Sequence, residues 1–135
     1  MKSLMVPAKT DELQKVLDFI EGELRGQDCP MKTELQIMIA VEEVFVNIAH
    51  YAYGGEPGMV VISYEVLADP PSVRIQFRDD GEPYNPLERE DPDVSLPAEE
   101  RDIGGLGIFM VKKTMDNLEY GYEDGKNVLT LTKGW

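Results

Sequence analysis

Cysteine, histidine and positive charge are all scarce in this chain, and each scarcity removes a class of chemistry. Cys29 is the single cysteine, so no internal disulfide can form; that fits a reducing compartment and a cytoplasmic setting. Only Arg25 and Lys32 stand near it in sequence, and it reads as inert rather than reactive. His50, the one histidine, has no Cys or His at metal-ligand spacing, which supports neither a zinc site nor a Ser/His/Asp triad. Lys and Arg number 13 against 26 Asp and Glu, a formal net charge of −13. Binding phosphate backbones requires clustered cations, so nucleic acid is not an expected partner. The acidity serves either solubility alone or the docking of a basic partner, and charge leaves both open. Long apolar runs are missing too. Ile37 to Val41 and Val44 to Val46 are interrupted by Glu42, Glu43 and Asn47, far short of the roughly 20 residues that span a bilayer. Met1 to Pro7 has no long apolar region or small-residue cleavage site, so neither membrane insertion nor export is expected.

What is present suits one globular domain. The 135 residues are 42% hydrophobic and 29% charged, enough for one core and too few for two. Residues 2 to 6 alternate weakly, as a short edge strand would, before Pro7. Thr10 or Asp11 is placed to cap a helix running to about Arg25, with Val16, Leu17, Ile20 and Leu24 at helical spacing. A second helix is predicted from Lys32 or Thr33 to about Tyr53, where glycines and Pro57 stop it. Met59 to Leu67 and Val73 to Arg78 read as a hairpin around Asp69-Pro70-Pro71-Ser72. Pro83, Pro86, Pro92 and Pro97 then mark a long irregular segment, with a lid expected over about 84–103. A third helix over Leu106 to Met115 and a second hairpin, Leu118 to Tyr122 and Val128 to Thr132, complete the order. Without βαβ alternation, the grouping predicts α+β: helices covering one face of a mostly antiparallel sheet.

Three places carry candidate chemistry. On the second helix, apolar residues from Leu35 to Ala49 take up most of the circumference, so it reads as largely buried. Gln36, Glu43, Asn47 and His50 share one polar sector, with Glu43 and Asn47 stacked at i,i+4. That stripe is either the solvent face or a pair converging on a ligand, with Glu43 as proton acceptor and Asn47 as an oxygen ligand to Mg²⁺. Glu42 falls inside the apolar sector and suits neither. Asp79-Asp80-Gly81 at a strand end is either an ordinary turn or a carboxylate that receives a ligand's amine. Gly104-Gly105-Leu106-Gly107 precedes a helix, as a hinge or as a phosphate cradle of free backbone N–H groups. No Gly-Lys-Ser/Thr follows it, which excludes a Walker loop. Arg101 is either solvated or placed to neutralise a terminal phosphate; Lys112 and Lys113 read as solvated helix residues.

The order and intervals of these motifs resemble the ATP-binding domain shared by DNA gyrase, large heat-shock chaperones, histidine kinases and mismatch-repair ATPases. Within that superfamily they look most like the small stand-alone anti-sigma-factor serine/threonine kinases. The likeness rests on Ala40 to Asn47 with Tyr51-Ala52-Tyr53, on Arg78 to Pro86, and on Gly104 to Val111. It implies the Bergerat fold, a two-layer sandwich with a mixed, mostly antiparallel sheet. It also implies ATP and Mg²⁺ as cofactors, with Asn47 on the metal and Glu43 polarising an attacking hydroxyl. Asp79 would meet the adenine amine, Gly81 would let the base approach, and Gly105 and Gly107 would line the phosphates. The implied partners are a small anti-anti-sigma (STAS-like) protein as phosphoacceptor, a sigma factor that is sequestered, and a second copy in a homodimer. Two departures stand out. Relatives often carry a His where this chain has Tyr51, and the late Gly-Thr pair is not evident around Gly125 to Val128, although Thr130 follows as a candidate contact. A non-catalytic ATP-binding regulatory module remains the alternative, and a structural domain without nucleotide a third.

Overall fold

The computed structural model describes residues 2–54, 56–68, 70–88 and 105–135. The chain begins with strand β1 (Lys2–Pro7) and a 3₁₀ turn at Thr10–Glu12, followed by helices α1 (Leu13–Arg25) and α2 (Met31–Tyr51). Strands β2 (Met59–Ala68) and β3 (Pro71–Asp79) come next, then a 3₁₀ turn at Pro86–Glu88. Helix α3 (Gly105–Thr114) and strands β4 (Asn117–Glu123) and β5 (Lys126–Gly134) complete it.

The α+β expectation holds, with one sheet of order β1-β2-β3-β5-β4. Every described pairing is antiparallel. Both hairpins form as expected, and β5 lies inside the sheet between β3 and β4. Register puts Val6, Val60, Ile62, Tyr64, Val73, Ile75, Phe77, Leu129 and Leu131 on one face, by the two-residue alternation of strands. That face meets Val16, Ile20 and Leu24 of α1, the inner side of α2, Val111 of α3 and the Met115 that follows it in one core. Such burial is the dominant favourable contribution to folding.

The tip of the second hairpin is dictated locally. Asp124 and Gly125 both have positive φ, 53° and 76°, the conformation of a two-residue type I′ turn, which matches strand twist and favours Asp-Gly. Earlier in the chain the expected Thr10 or Asp11 cap is not realised. Those residues enter the 3₁₀ turn, α1 starts at Leu13, and its N-cap, Glu12, makes no side-chain capping bond. Cys29 is partly covered, and burial, then the Glu34 carboxylate, push its thiol pKa up, which disfavours the reactive thiolate.

The largest difference from expectation concerns α2. It touches both α1 and α3, and it buries Ile37, Ala40, Val41, Val44 and Phe45. Leu35 and Ile39, however, are 57% and 53% exposed, and Glu42 is exposed beside them. The helix has one covered side and one bare side, because a single helical layer leaves the outer face of α2 in solvent. Glu42 is no anomaly once that face is outward.

Candidate functional site

A cleft open to solvent lies at the end of the helix-facing side of the sheet. One wall is Val44, Asn47, Ile48 and Tyr51 of α2 with the following Ala52. The floor is Phe77 and Asp79 of β3, Asn127 and Leu129 of β5, and Tyr120 of β4. Glu82, Tyr84 and Pro86 form the rim, and Ile108 of α3 closes the far side. Mostly apolar walls with a few convergent polar groups suit a flat ring that carries one or two hydrogen-bonding edges.

Asp79 ends β3 on the buried face and is only 6% exposed. Its Oδ1 accepts the Gly81 N–H at 2.9 Å and the Asn127 Nδ2 at 3.0 Å. β5 supplies Asn127 because the β3–β5 register sets Asp79 opposite Asn127. Asn127 is 7% exposed. It also donates to the Glu82 carbonyl at 2.9 Å, lies 3.4 Å from the Gly81 carbonyl, and accepts from the Tyr84 N–H at 3.1 Å and from the Tyr120 hydroxyl.

Behind this network the turn is pinned to α2. A Cβ on Gly81 would stand 2.1 Å from the Ala52 carbonyl oxygen, and the next N–H, of Glu82, donates to that oxygen at 3.1 Å. The bare Cα of Gly81 therefore admits the chain's own backbone, and Gly81 is not among the residues lining the cleft. This packing gives the glycine a reason that needs no ligand. The Tyr53 hydroxyl accepts the Asp80 N–H at 2.8 Å and donates to the Met59 carbonyl. Lys126 pairs with Asp80 outside the cleft.

Asn47 lines the cleft. Glu43, one helical turn earlier, is half-buried and not part of the lining. Burial first, then the neighbouring Glu42 charge, raise its carboxyl above the ordinary glutamate value. Gly105, Leu106 and Gly107 form the first turn of α3, and Ile108 beside them lines the cleft, so the amino end of α3 is at the rim. Arg101, Gly104 and the lid beyond Glu88 lie outside the described residues.

Thr130 is not brought to the cleft. Asn127, Leu129 and Leu131 point toward the helices, and the strand alternation turns Thr130 to the opposite face, where it meets Gln76 at 3.5 Å. The position that faces Asp79 belongs to Asn127, which sequence reasoning passed over. Its signal lies in the alternation with Leu129 and Leu131, but only once β5 is known to pair with β3. Tyr120, on the neighbouring β4, was missed for the same reason. Exposed Tyr51 and Tyr84 flank the mouth with ring centroids 6.5 Å apart.

Among the described residues, no group of three or more His, Cys, Asp or Glu is disposed to hold a metal. A donor set of one carboxamide oxygen, Asn47, with a carboxylate a turn away fits Mg²⁺ that keeps most of its shell from water and phosphate. No described helix is long and apolar enough to cross a membrane.

Comparison with known proteins agrees with this architecture. The family model of the histidine kinase-like ATPase domain matches residues 6–133. A protein named serine-protein kinase RsbW from Listeria monocytogenes is 32% identical over 98 residues, covering 69% of this chain and 61% of that one. A namesake from Bacillus cereus is 27% identical over 130 residues, covering 93% and 80%. The chain thus spans about three fifths of the length of the Listeria relatives it matches. Among solved structures, the RsbU and RsbW domains of Rv1364c from Mycobacterium tuberculosis superpose with a TM-score of 0.64 at 15% identity, over 99% of this chain and 32% of that one, a likeness of fold. With a family match over nearly its whole length and the same layered α+β architecture, the chain belongs to the histidine kinase-like ATPase domain family.

Proposed function

We propose that this domain binds Mg-ATP in the cleft and transfers the terminal phosphoryl group to a serine or threonine of a small anti-anti-sigma (STAS-like) protein, with a sigma factor as a second, sequestered partner. The observation that carries the reading is the convergence of Asn47 and Asp79 on one mostly apolar cleft, with Glu43 a single helical turn away. The names of the Listeria and Bacillus relatives support the choice of a serine kinase.

Asp79 receives the adenine amine, and the apolar walls from Val44, Ile48 and Leu129 sandwich the ring. Asn47 would hold Mg²⁺, which when bound would supply neutralisation of phosphate charge. The backbone N–H groups of Gly104, Gly105, Leu106 and Gly107 and the positive end of α3 receive the phosphates. Arg101 adds positive charge near the terminal phosphate. Glu43 accepts the proton of the attacking hydroxyl as the new O–P bond forms and the bond to the bridging oxygen of ADP breaks. In such transfers the protein contributes mostly position and electrostatic stabilisation.

The test is phosphotransfer from labelled Mg-ATP to a purified STAS-domain protein. Glu43→Gln is expected to bind Mg-ATP normally and to lose transfer by about 100-fold or more, the contribution of a placed base. Full transfer by that variant would remove Glu43 from the chemistry, whereas a wild type that binds Mg-ATP and transfers nothing would favour a binding-only regulatory module.

A further inference from the structure

The Asn127 carboxamide has no hydrogen-bonding position left over. Its two N–H donors go to Asp79 Oδ1 and the Glu82 carbonyl, and its oxygen takes the Tyr84 N–H and the Tyr120 hydroxyl. The orientation follows from the partners: a carboxylate and a carbonyl can only accept, and a backbone N–H can only donate. A saturated side chain in a cleft acts through its neighbours rather than on a ligand. The neighbour that matters is Asp79. Gly81 and Asn127 hold its Oδ1 from two sides, which leaves Oδ2 to receive a ligand's N–H.

This bears on which base the cleft accepts. Adenine presents an exocyclic amine at its six-position, whereas guanine presents an oxygen there and an N–H at the adjacent ring nitrogen. A carboxylate fixed opposite the six-position accepts from the amine and repels the oxygen. One free to turn can reach the ring N–H of guanine instead. We propose that Asn127 is a positioning residue that makes the cleft select a 6-amino over a 6-oxo purine by locking the Asp79 carboxylate. The proposal rests on the nucleotide reading above and assigns Asn127 no contact with the nucleotide.

Dissociation constants for Mg-ATP and Mg-GTP, measured by calorimetry on the full chain, test it. The variants are Asn127→Ala, the near-isosteric Asn127→Leu and the donor-retaining Asn127→Thr, each checked for fold by circular dichroism. Wild type should prefer ATP by about 100-fold or more, as sites built around a hydrogen bond do. In the Ala and Leu variants ATP affinity should fall roughly tenfold, the worth of a bond to a charged group, while GTP affinity holds or improves. The Thr variant, which still offers Asp79 a donor, should recover the ATP-to-GTP ratio to within about threefold. A folded Ala or Leu variant that weakens both nucleotides equally overturns the proposal and leaves Asn127 a structural residue. A wild-type chain that takes up neither nucleotide removes the ATP reading, and the proposal with it.

Discussion

Glu43 sits in an environment that opposes stability and suits the proposed role of a base. Burial and the Glu42 charge raise its carboxyl pKa in the folded chain. The folded state therefore binds the proton more tightly than the unfolded one, and stability falls as pH rises through the interval between the two values. Glu43→Gln, which cannot ionise, should melt at a higher temperature than wild type at pH 7, with the gap closing toward pH 4, where wild-type Glu43 is protonated too. In the proposed reaction the same shift moves the acid limb of kcat/KM above the ordinary glutamate range near ~4.3. Melting curves and a pH–rate profile check the two halves independently, and a wild type more stable than Glu43→Gln at pH 7 would contradict the first. Glu43 and Asn47 were legible in sequence because helical spacing alone stacks them. Asp79 was legible only as a carboxylate at a strand end, and Asn127 not at all, since its place depends on a partner 48 residues away.

At the scale of elements, the second hairpin delivers that partner, and its tip sets its register. Gly125 sits at φ 76°, a conformation that costs an L-residue roughly 1–2 kcal/mol. Gly125→Ala should lower the urea midpoint by about that amount of stability while leaving the m-value unchanged, since the surface exposed on unfolding is the same. An unaltered midpoint would mean that the tip does not hold the register. The five strands and three helices of the described residues could be read from periodicity and turn residues, with ends shifting by a residue or two as pairing extended the strands. Burial on α2 could not. Leu35 and Ile39 belong to the apolar sector by composition, yet which side of a helix is covered depends on how many layers the fold has. Thr130 failed for a similar reason: its residue type suited the site, but the strand alternation turned it to the other face.

Across the whole molecule, 26 acidic side chains against 13 basic ones make self-repulsion a standing opposition to the compact state. Raising salt from about 10 mM to 0.5 M shortens the Debye length from roughly 30 Å to under 5 Å. The melting temperature without ligand should rise over that range, and a fall would show that the surface ion pairs outweigh the repulsion. The sheet order sets a further condition, on synthesis. β5 comes after β4 in the chain yet lies between β3 and β4 in the sheet, so a nascent chain that has made β1 to β3 and both long helices still has β3 as an open edge. Asp79 is then already present, while the residue that orients it is still to be translated. Contacts of such long sequence separation form slowly. The second hairpin, translated after β3, both pairs that edge and completes the cleft, so the pocket and the interior of the sheet are finished in the same step.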